Sequence, residues 1–306
     1  MASDEVCAPG IHFLGGSCIP LDLLEDMIHV YNLSHDDKID IDSIQRLKQY
    51  NPITYKKRIV EILTNRMKNY NCDTQTCWLT LPFFRNLSDS KKTKQLHKQT
   101  FKPKGPSDSN KWLNTLNIDD VFEQYENYYK DFKFMGANPR DFAEIPSTGI
   151  PNMDLDTLLN SGKYRLGFIF NLDKHNQSGS HWVAMFADIL KGHIYYIDSV
   201  GERPMKEFIA LMNKIKNFCL STSRENYCRK NPQNEICRSI TDFKKIDLRY
   251  SKTQHQHGGS ECGVYAINFI LRWLDGETFD ELTKNHVGDR EVQMCRRAYF
   301  RKPQSK

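Results

Sequence analysis

No apolar run in this chain approaches the ~18 residues that a membrane span requires, and the N-terminus lacks the basic-then-apolar pattern of a secretory signal. Both absences lead to the expectation of a soluble, unsecreted protein. Charge of one sign is not in large excess either. Forty-three Lys and Arg stand against 38 Asp and Glu, a net charge of +5, which permits a weak attraction to nucleic acid without identifying a nucleic-acid-binding protein. An internal repeat is missing, which argues against a solenoid or propeller, and so is a phosphate-cradling glycine loop. The cysteines form no paired CxxC elements of the kind a zinc ribbon uses. Nine of them are scattered at positions 7, 18, 72, 77, 219, 228, 237, 262 and 295. An odd count without a signal peptide favours free thiols in a reducing compartment. Cys7, Cys18, Cys72 and Cys77, with the last two as the tighter pair, are left as a loose alternative set of zinc ligands. At 306 residues the chain can form one large domain or two, with enough core to dispense with disulfides.

Chemistry concentrates around Gln256-His257-Gly258-Gly259-Ser260-Glu261-Cys262-Gly263-Val264-Tyr265, followed by the apolar run from Ala266 to Leu274. Residues 254 to 261 are polar or glycine, and then the pattern turns helical, so Cys262 stands where a loop becomes a helix. Unpaired amides and the helix dipole at that end favour a thiolate. Without a base nearby, a lone cysteine there reads first as a small buried hydrophobe at a helix start, and a base found elsewhere reverses that order.

A base is available upstream. Gly179 to Asp188 reads as a strand in which Val183, Met185 and Ala187 alternate against Ala184, Phe186 and Asp188, and His193 to Ser199 reads as a second strand after the Lys191-Gly192 turn. In an antiparallel hairpin His181 at the start of one strand neighbours Asp198 at the end of the other. The carboxylate can then accept from one imidazole nitrogen while the other faces a nucleophile.

His181-Trp182, Asp198-Ser199 seventeen residues after the histidine, and Gln256 six residues before Cys262-Gly263 resemble the signature of Ulp1/adenain-type cysteine proteases. The order His, Asp, Gln, Cys differs from papain-like enzymes, in which the cysteine precedes the histidine. The resemblance implies an α+β fold, a papain-like or Ulp1-type core with a central mixed sheet flanked by helices, and a thiol mechanism without cofactor or metal. His181, Asp198, Gln256 and Cys262 would be catalytic, with Gln256 in the oxyanion hole. Trp182 and Trp112 would bind substrate.

Ahead of that core, a glycine-rich stretch from Cys7 to Cys18 leads to helical patterns at 23–31, 42–50 and 53–68, and Cys77 to Leu81 closes the region with an apolar cluster. Residues 1–88 read as an N-terminal helical arm that either supports the catalytic module or docks a partner. Residues 89–110 read as an exposed basic linker. Six lysines and no acid between Lys91 and Lys104 leave a weak anionic or nucleic-acid contact open. The catalytic module then spans 111–306. It opens on Trp112-Leu113-Asn114 and a helix carrying Val121, Phe122 and Tyr125 beneath an acidic first turn. Further elements are a strand from Tyr164 to Leu172, a helix from Glu207 to Cys219, a charged excursion from Ser221 to Asn234, and a last strand from Ile246 to Tyr250. The Trp-Leu-Asn opening resembles the segment that covers a substrate's C-terminal tail in Ulp1-like enzymes. Thr115 stands where many relatives have Asp, and core packing is the other reading of Trp112.

The layout of arm, Cys-Asp-x-x-x-Cys, Lys-Pro-x-Gly-Pro and Leu-Asn-Thr-Leu-Asn-Ile-Asp is similar to the polyprotein-processing proteases of African swine fever virus and related large DNA viruses. Asp198 departs from that subgroup, which has asparagine there, and agrees with Ulp1 enzymes. Three functions follow from the resemblance. The leading one is an endopeptidase cleaving after Gly-Gly in viral structural polyproteins during particle maturation, acting in host-cytoplasm virus factories and the virion. A SUMO or ubiquitin-like isopeptidase is the second, and an inactive docking module the third.

Overall fold

The computed structural model describes residues 6–87, 96–107 and 110–302 and divides into two compact units, one of residues 1–105 with 300–306 and one of residues 106–299. In the first, helix α1 (Leu21–Ser34) and helix α2 (Pro52–Met67) bury Leu24, Met27, Ile28 and Tyr31 against Tyr55, Ile59, Leu63 and Met67. Asn51 accepts from the Thr54 amide at the start of α2, and Pro52 occupies the first helical position, where its missing N–H costs nothing. The helix expected over 42–50 is instead two short pieces, Asp42–Ile44 and Leu47–Tyr50.

Two expectations about this unit change. Cys7 is bonded to Cys18 and Cys72 to Cys77, and in the second unit Cys228 is bonded to Cys237, leaving Cys219, Cys262 and Cys295 as thiols. Six sulfurs expected to be free are therefore paired, and the zinc alternative loses its thiolates. Spacing alone could not reveal this, because the pairing of Cys7 with Cys18 depends on the fold that brings them together. The second change concerns the expected linker. Lys91 to Gln95 lie outside the described residues, but Thr100 and Phe101 are buried, Phe101 bridges Cys7, and the Ala8 amide donates to the Thr100 carbonyl. Residues 300–302 join the same unit: the Arg301 amide donates to the Pro103 carbonyl, and a β-carbon at Gly105 would collide with the Phe300 ring. An apolar face hidden among lysines makes 96–105 part of a folded unit.

The second unit is built on one mixed sheet in the order β1-β2-β3-β4-β5: β1 (Phe132–Pro139), β2 (Arg165–Asn171), β3 (Trp182–Asp188), β4 (His193–Ile197) and β5 (Asp247–Tyr250). The pairs β1/β2 and β4/β5 are parallel, and β2/β3 and β3/β4 antiparallel. Its preceding helix α3 (Thr115–Tyr128) begins in a reciprocal cap between Asn114 and Asn117, so Asp119 and Asp120 fall beyond the first turn. Asp119 instead accepts the Ala137 amide beside the β1 bulge.

Alternation along β3 assigns the layers. Val183, Met185 and Ala187 share a core with Phe208, Leu211 and Met212 of helix α4 (Lys206–Leu220). On the other face, Phe186 packs against Trp273 of helix α5 (Cys262–Leu274) at 5.0 Å between ring centroids. Helix α5 is buried along nearly its whole length, and each of its large apolar side chains contributes about 1.5–3 kcal/mol by leaving water. A helix fixed so firmly holds its first residue, Cys262, against the start of β3. Helix α6 (Asp289–Tyr299) packs against α5.

Candidate active site

The hairpin brings two of the expected residues together. His181 lies just before β3, where its carbonyl accepts the Leu172 amide, and Asp198 follows β4 at zero exposure. His181 Nε2 donates to Asp198 Oδ1 at 2.7 Å, and the Val200 amide donates to the same oxygen at 2.9 Å. That leaves Nδ1 as the nitrogen available to Cys262, whose side chain is within interaction reach of the ring. Burial disfavours the imidazolium, but the hydrogen bonds with Asp198 and Cys262 and their negative charges outweigh it and raise the His181 pKa from 6.5 to about 9. The ring therefore carries its proton at neutral pH.

Cys262 is the first residue of α5 and is 2% exposed. Its sulfur is placed where the helix's first amides and dipole favour negative charge. Gly263, next to it, sits in a close approach: a β-carbon there would stand 3.1 Å from Leu113 Cβ and 3.2 Å from Trp182 Cδ1, so either neighbour would have to give way. Trp182 is itself locked, buried and donating from Nε1 to the Leu113 carbonyl at 2.8 Å.

Gln256 is buried and held from several sides. Its amide donates to the Ser199 carbonyl, its Oε1 accepts from Ser199 Oγ at 2.7 Å, and its Nε2 donates to the Gly258 carbonyl at 2.9 Å. The Gly258 carbonyl can only accept, which settles which end of the carboxamide bears the donors, and one Nε2 hydrogen remains uncommitted. The following loop is tied by Asp289, which accepts from the His257 and Gly258 amides and from the Tyr265 hydroxyl.

Thus His181, Asp198, Cys262 and Trp182 converge directly, and Gln256 joins them through Ser199. Trp112 differs: it is half exposed, and its neighbour Leu113 makes the contacts with Trp182 and Gly263. This exposure removes core packing as the reading of Trp112. Ser199, Asp289 and Leu113 were not singled out from the sequence. Ser199 had a signal, its place beside Asp198, whereas the other two act only through contacts distant in sequence. Among the described residues no group of three or more His, Cys, Asp or Glu side chains is arranged to hold a metal ion, and no helix is long and apolar enough to cross a membrane.

Comparison with known proteins agrees with this architecture. The Ulp1 protease family, C-terminal catalytic domain, matches residues 93–302. A protein of Acanthamoeba polyphaga mimivirus, a thiol protease by name, is 33% identical over 302 residues, covering 95% of this chain and 91% of the relative. An African swine fever virus protein named as a SUMO-1 cysteine protease is 23% identical over 267 residues, covering 80% of this chain and 90% of the relative. The crystal structure of the selenomethionine form of the African swine fever virus protease superposes with a TM-score of 0.60 at 18% identity, covering 98% of this chain and 97% of the other. Sheet, helices and matched span together make the chain a member of the Ulp1 protease family, an α+β cysteine protease with viral relatives.

Proposed function

We propose that the chain is an endopeptidase that cleaves after Gly-Gly in viral structural polyproteins, with Cys262 as nucleophile, His181 as acid and base, Asp198 as the group orienting His181, and Gln256 as an oxyanion donor. The observation that carries this reading is the His181–Asp198 hydrogen bond of 2.7 Å beside a cysteine at a helix N-terminus. In the first half-reaction the Cys262 thiolate adds to the scissile carbonyl carbon. The tetrahedral oxyanion takes a hydrogen bond from the free Gln256 Nε2–H and one from the Cys262 amide. The C–N bond then breaks, the His181 imidazolium gives its proton to the departing amine, and a thioester remains. In the second, neutral His181 takes a proton from water as its oxygen attacks the thioester, releasing the carboxylate and restoring the ion pair.

The Gly-Gly preference is supported by the crowding of Trp182 against Gly263 and Leu113 beside Cys262. A passage bounded by an indole has little room for a β-carbon on the residues entering it, and glycine also reaches backbone angles that other residues avoid. Matched peptides with Gly-Gly-Ala, Ala-Gly-Ala and Gly-Ala-Ala should lose kcat/KM by orders of magnitude on either change to alanine, and equal rates for all three would remove the slot.

A second reading, an isopeptidase acting on a SUMO-like conjugate, is favoured by the name of the swine fever virus relative. Both readings use the same four residues, so the substrate separates them. Purified enzyme, with Cys262→Ala as the inactive control, should cut a virus polyprotein at Gly-Gly junctions and leave a SUMO conjugate intact. The opposite preference would establish the isopeptidase, and cleavage of neither would leave the docking module. Site of action is part of the proposal: host cytoplasm and virion.

A further inference from the structure

Arg296, on α6, is wholly buried, and among the described residues no carboxylate stands within ion-pair distance of it. Its Nε donates to Gln293 Oε1 at 2.7 Å, one terminal nitrogen to the Pro106 carbonyl at 3.3 Å, and the other to the Ser260 carbonyl at 3.2 Å. All three acceptors are neutral. Taking a guanidinium out of water without a partnering anion is costly, and neutral acceptors could be satisfied by a neutral side chain. The charge therefore calls for counter-charges in the neighbourhood, which are the buried Glu261 carboxylate first and Cys262 after it, and the Ser260 carbonyl is two residues from Cys262.

We propose that Arg296 is a positioning residue for the nucleophile, its guanidinium holding the Ser260 carbonyl at the turn into α5 while its positive charge favours Cys262 as thiolate. This rests on the reading of Cys262 as nucleophile.

The charges around Cys262 come from several elements. His181 approaches from the start of β3 with Asp198 behind it, Glu261 precedes Cys262 in the chain with its carboxylate on Ser260, and Arg296 reaches the Ser260 carbonyl from α6. Glu261 is buried, its carboxylate accepting the Ser260 amide at 2.9 Å and the Ser260 hydroxyl at 2.6 Å. A buried carboxylate next to a thiolate opposes it, and His181 is already engaged by Asp198. Arg296 supplies the second cation that offsets Glu261. Consistently, burial pushes the Arg296 guanidinium down while the charges of Glu261 and Cys262 pull it up.

The test is the rate of iodoacetamide alkylation at Cys262, followed by peptide mapping across about pH 4 to 10.5, a range that extends past the His181 pKa of about 9. It is run on the full-length protein, on Arg296→Lys and on Arg296→Gln. Lysine keeps the charge and glutamine keeps only a donor for Ser260. The expected result is an alkylation curve moved to higher pH in the glutamine variant, about tenfold slower on the acid limb for a shift of about one unit, with lysine near the wild type. Coincident glutamine and wild-type curves, or equal shifts in glutamine and lysine, would overturn the electrostatic role. Should the glutamine variant not fold, semisynthetic replacement of Arg296 by citrulline keeps the shape and removes the charge, and its curve decides the question. Failure of the underlying reading looks different: wild-type Cys262 would then label no faster than Cys219 and Cys295, and Cys262→Ala would still turn over.

Discussion

Replacing Asp198 by asparagine removes one negative charge from a fully buried position while keeping an oxygen that can accept from His181 and Val200. Burial alone would lower the His181 pKa below 6.5, yet it is held at about 9, with hydrogen bonds and charges from Asp198 and Cys262 responsible. That difference corresponds to about 3 kcal/mol in favour of the imidazolium at ~1.36 kcal/mol per unit. In the proposed mechanism cleavage needs the imidazolium proton for the departing amine, so kcat/KM should fall as pH rises through about 9 in the wild type. In Asp198→Asn the alkaline limb should move down toward the ordinary histidine value. The variant would then be weak at pH 8 and recover much of its rate near pH 6, while Asp198→Ala, which also loses the acceptor, stays weaker at both. The same linkage acts on stability: a raised histidine pKa contributes stability that is fully present below about 6.5 and lost as pH rises through about 9. Thermal unfolding of the wild type across that window should show the loss, and Asp198→Asn should flatten it. An alkaline limb that stays at about 9 in Asp198→Asn would refute the reasoning, because the carboxylate charge would then not be what holds the proton.

Gln256→Ala should lower kcat about 100- to 1,000-fold if its free Nε2–H meets the oxyanion, with little change in fold; a loss of a few-fold would move that donor elsewhere. Gly263→Ala should cost about 1–3 kcal/mol through overpacking against Leu113 and Trp182 and should slow cleavage as Cys262 shifts with its helix, so wild-type melting temperature and rate together would count against the packing described. Thiol counting on the unreduced, denatured protein should find three reactive cysteines, Cys219, Cys262 and Cys295, and nine if the disulfides do not form.

The parts of the fold that are legible in the sequence are those whose signal is local. The strands ending at Asn171, Asp188, Ile197 and Tyr250 show period-two or continuous apolar patterns, and α5 follows a glycine-rich loop with an unbroken apolar run. By contrast β1 carries no such signal. Gly136 adopts a positive φ, the register slips between Phe134 and Ala137, and the strand ends on Pro139, so every usual strand signal is interrupted within eight residues. Helix α3 starts earlier than its aspartates suggest, because two asparagines cap it. Disulfide pairing and the burial of Phe101 are invisible for another reason, since both depend on which segments the fold brings together.

The site divides along the same line. The residues proposed to perform chemistry carry their own side-chain identity, and a histidine, an aspartate, a glutamine and a cysteine in a fixed order can be picked out by spacing. Those that hold them do so mainly through backbone groups that any sequence possesses: Leu113 receives the Trp182 indole on its carbonyl, Ser260 offers its carbonyl to Arg296, and Asp289 takes the amides of His257 and Gly258. Such contacts leave little trace in the residue types that take part in them. They do leave one in space, because each supporting group fixes one degree of freedom of the reactive ones. Ser199 orients the Gln256 carboxamide, Asp289 the loop that follows it, Leu113 the Trp182 ring, and Arg296 the turn before Cys262. A buried thiol at a helix N-terminus would have the local dipole without any of these. In the proposed mechanism the supports convert that generic feature into a defined attack geometry, and substitutions at Ser199 or Asp289 should then act on turnover more than on substrate affinity.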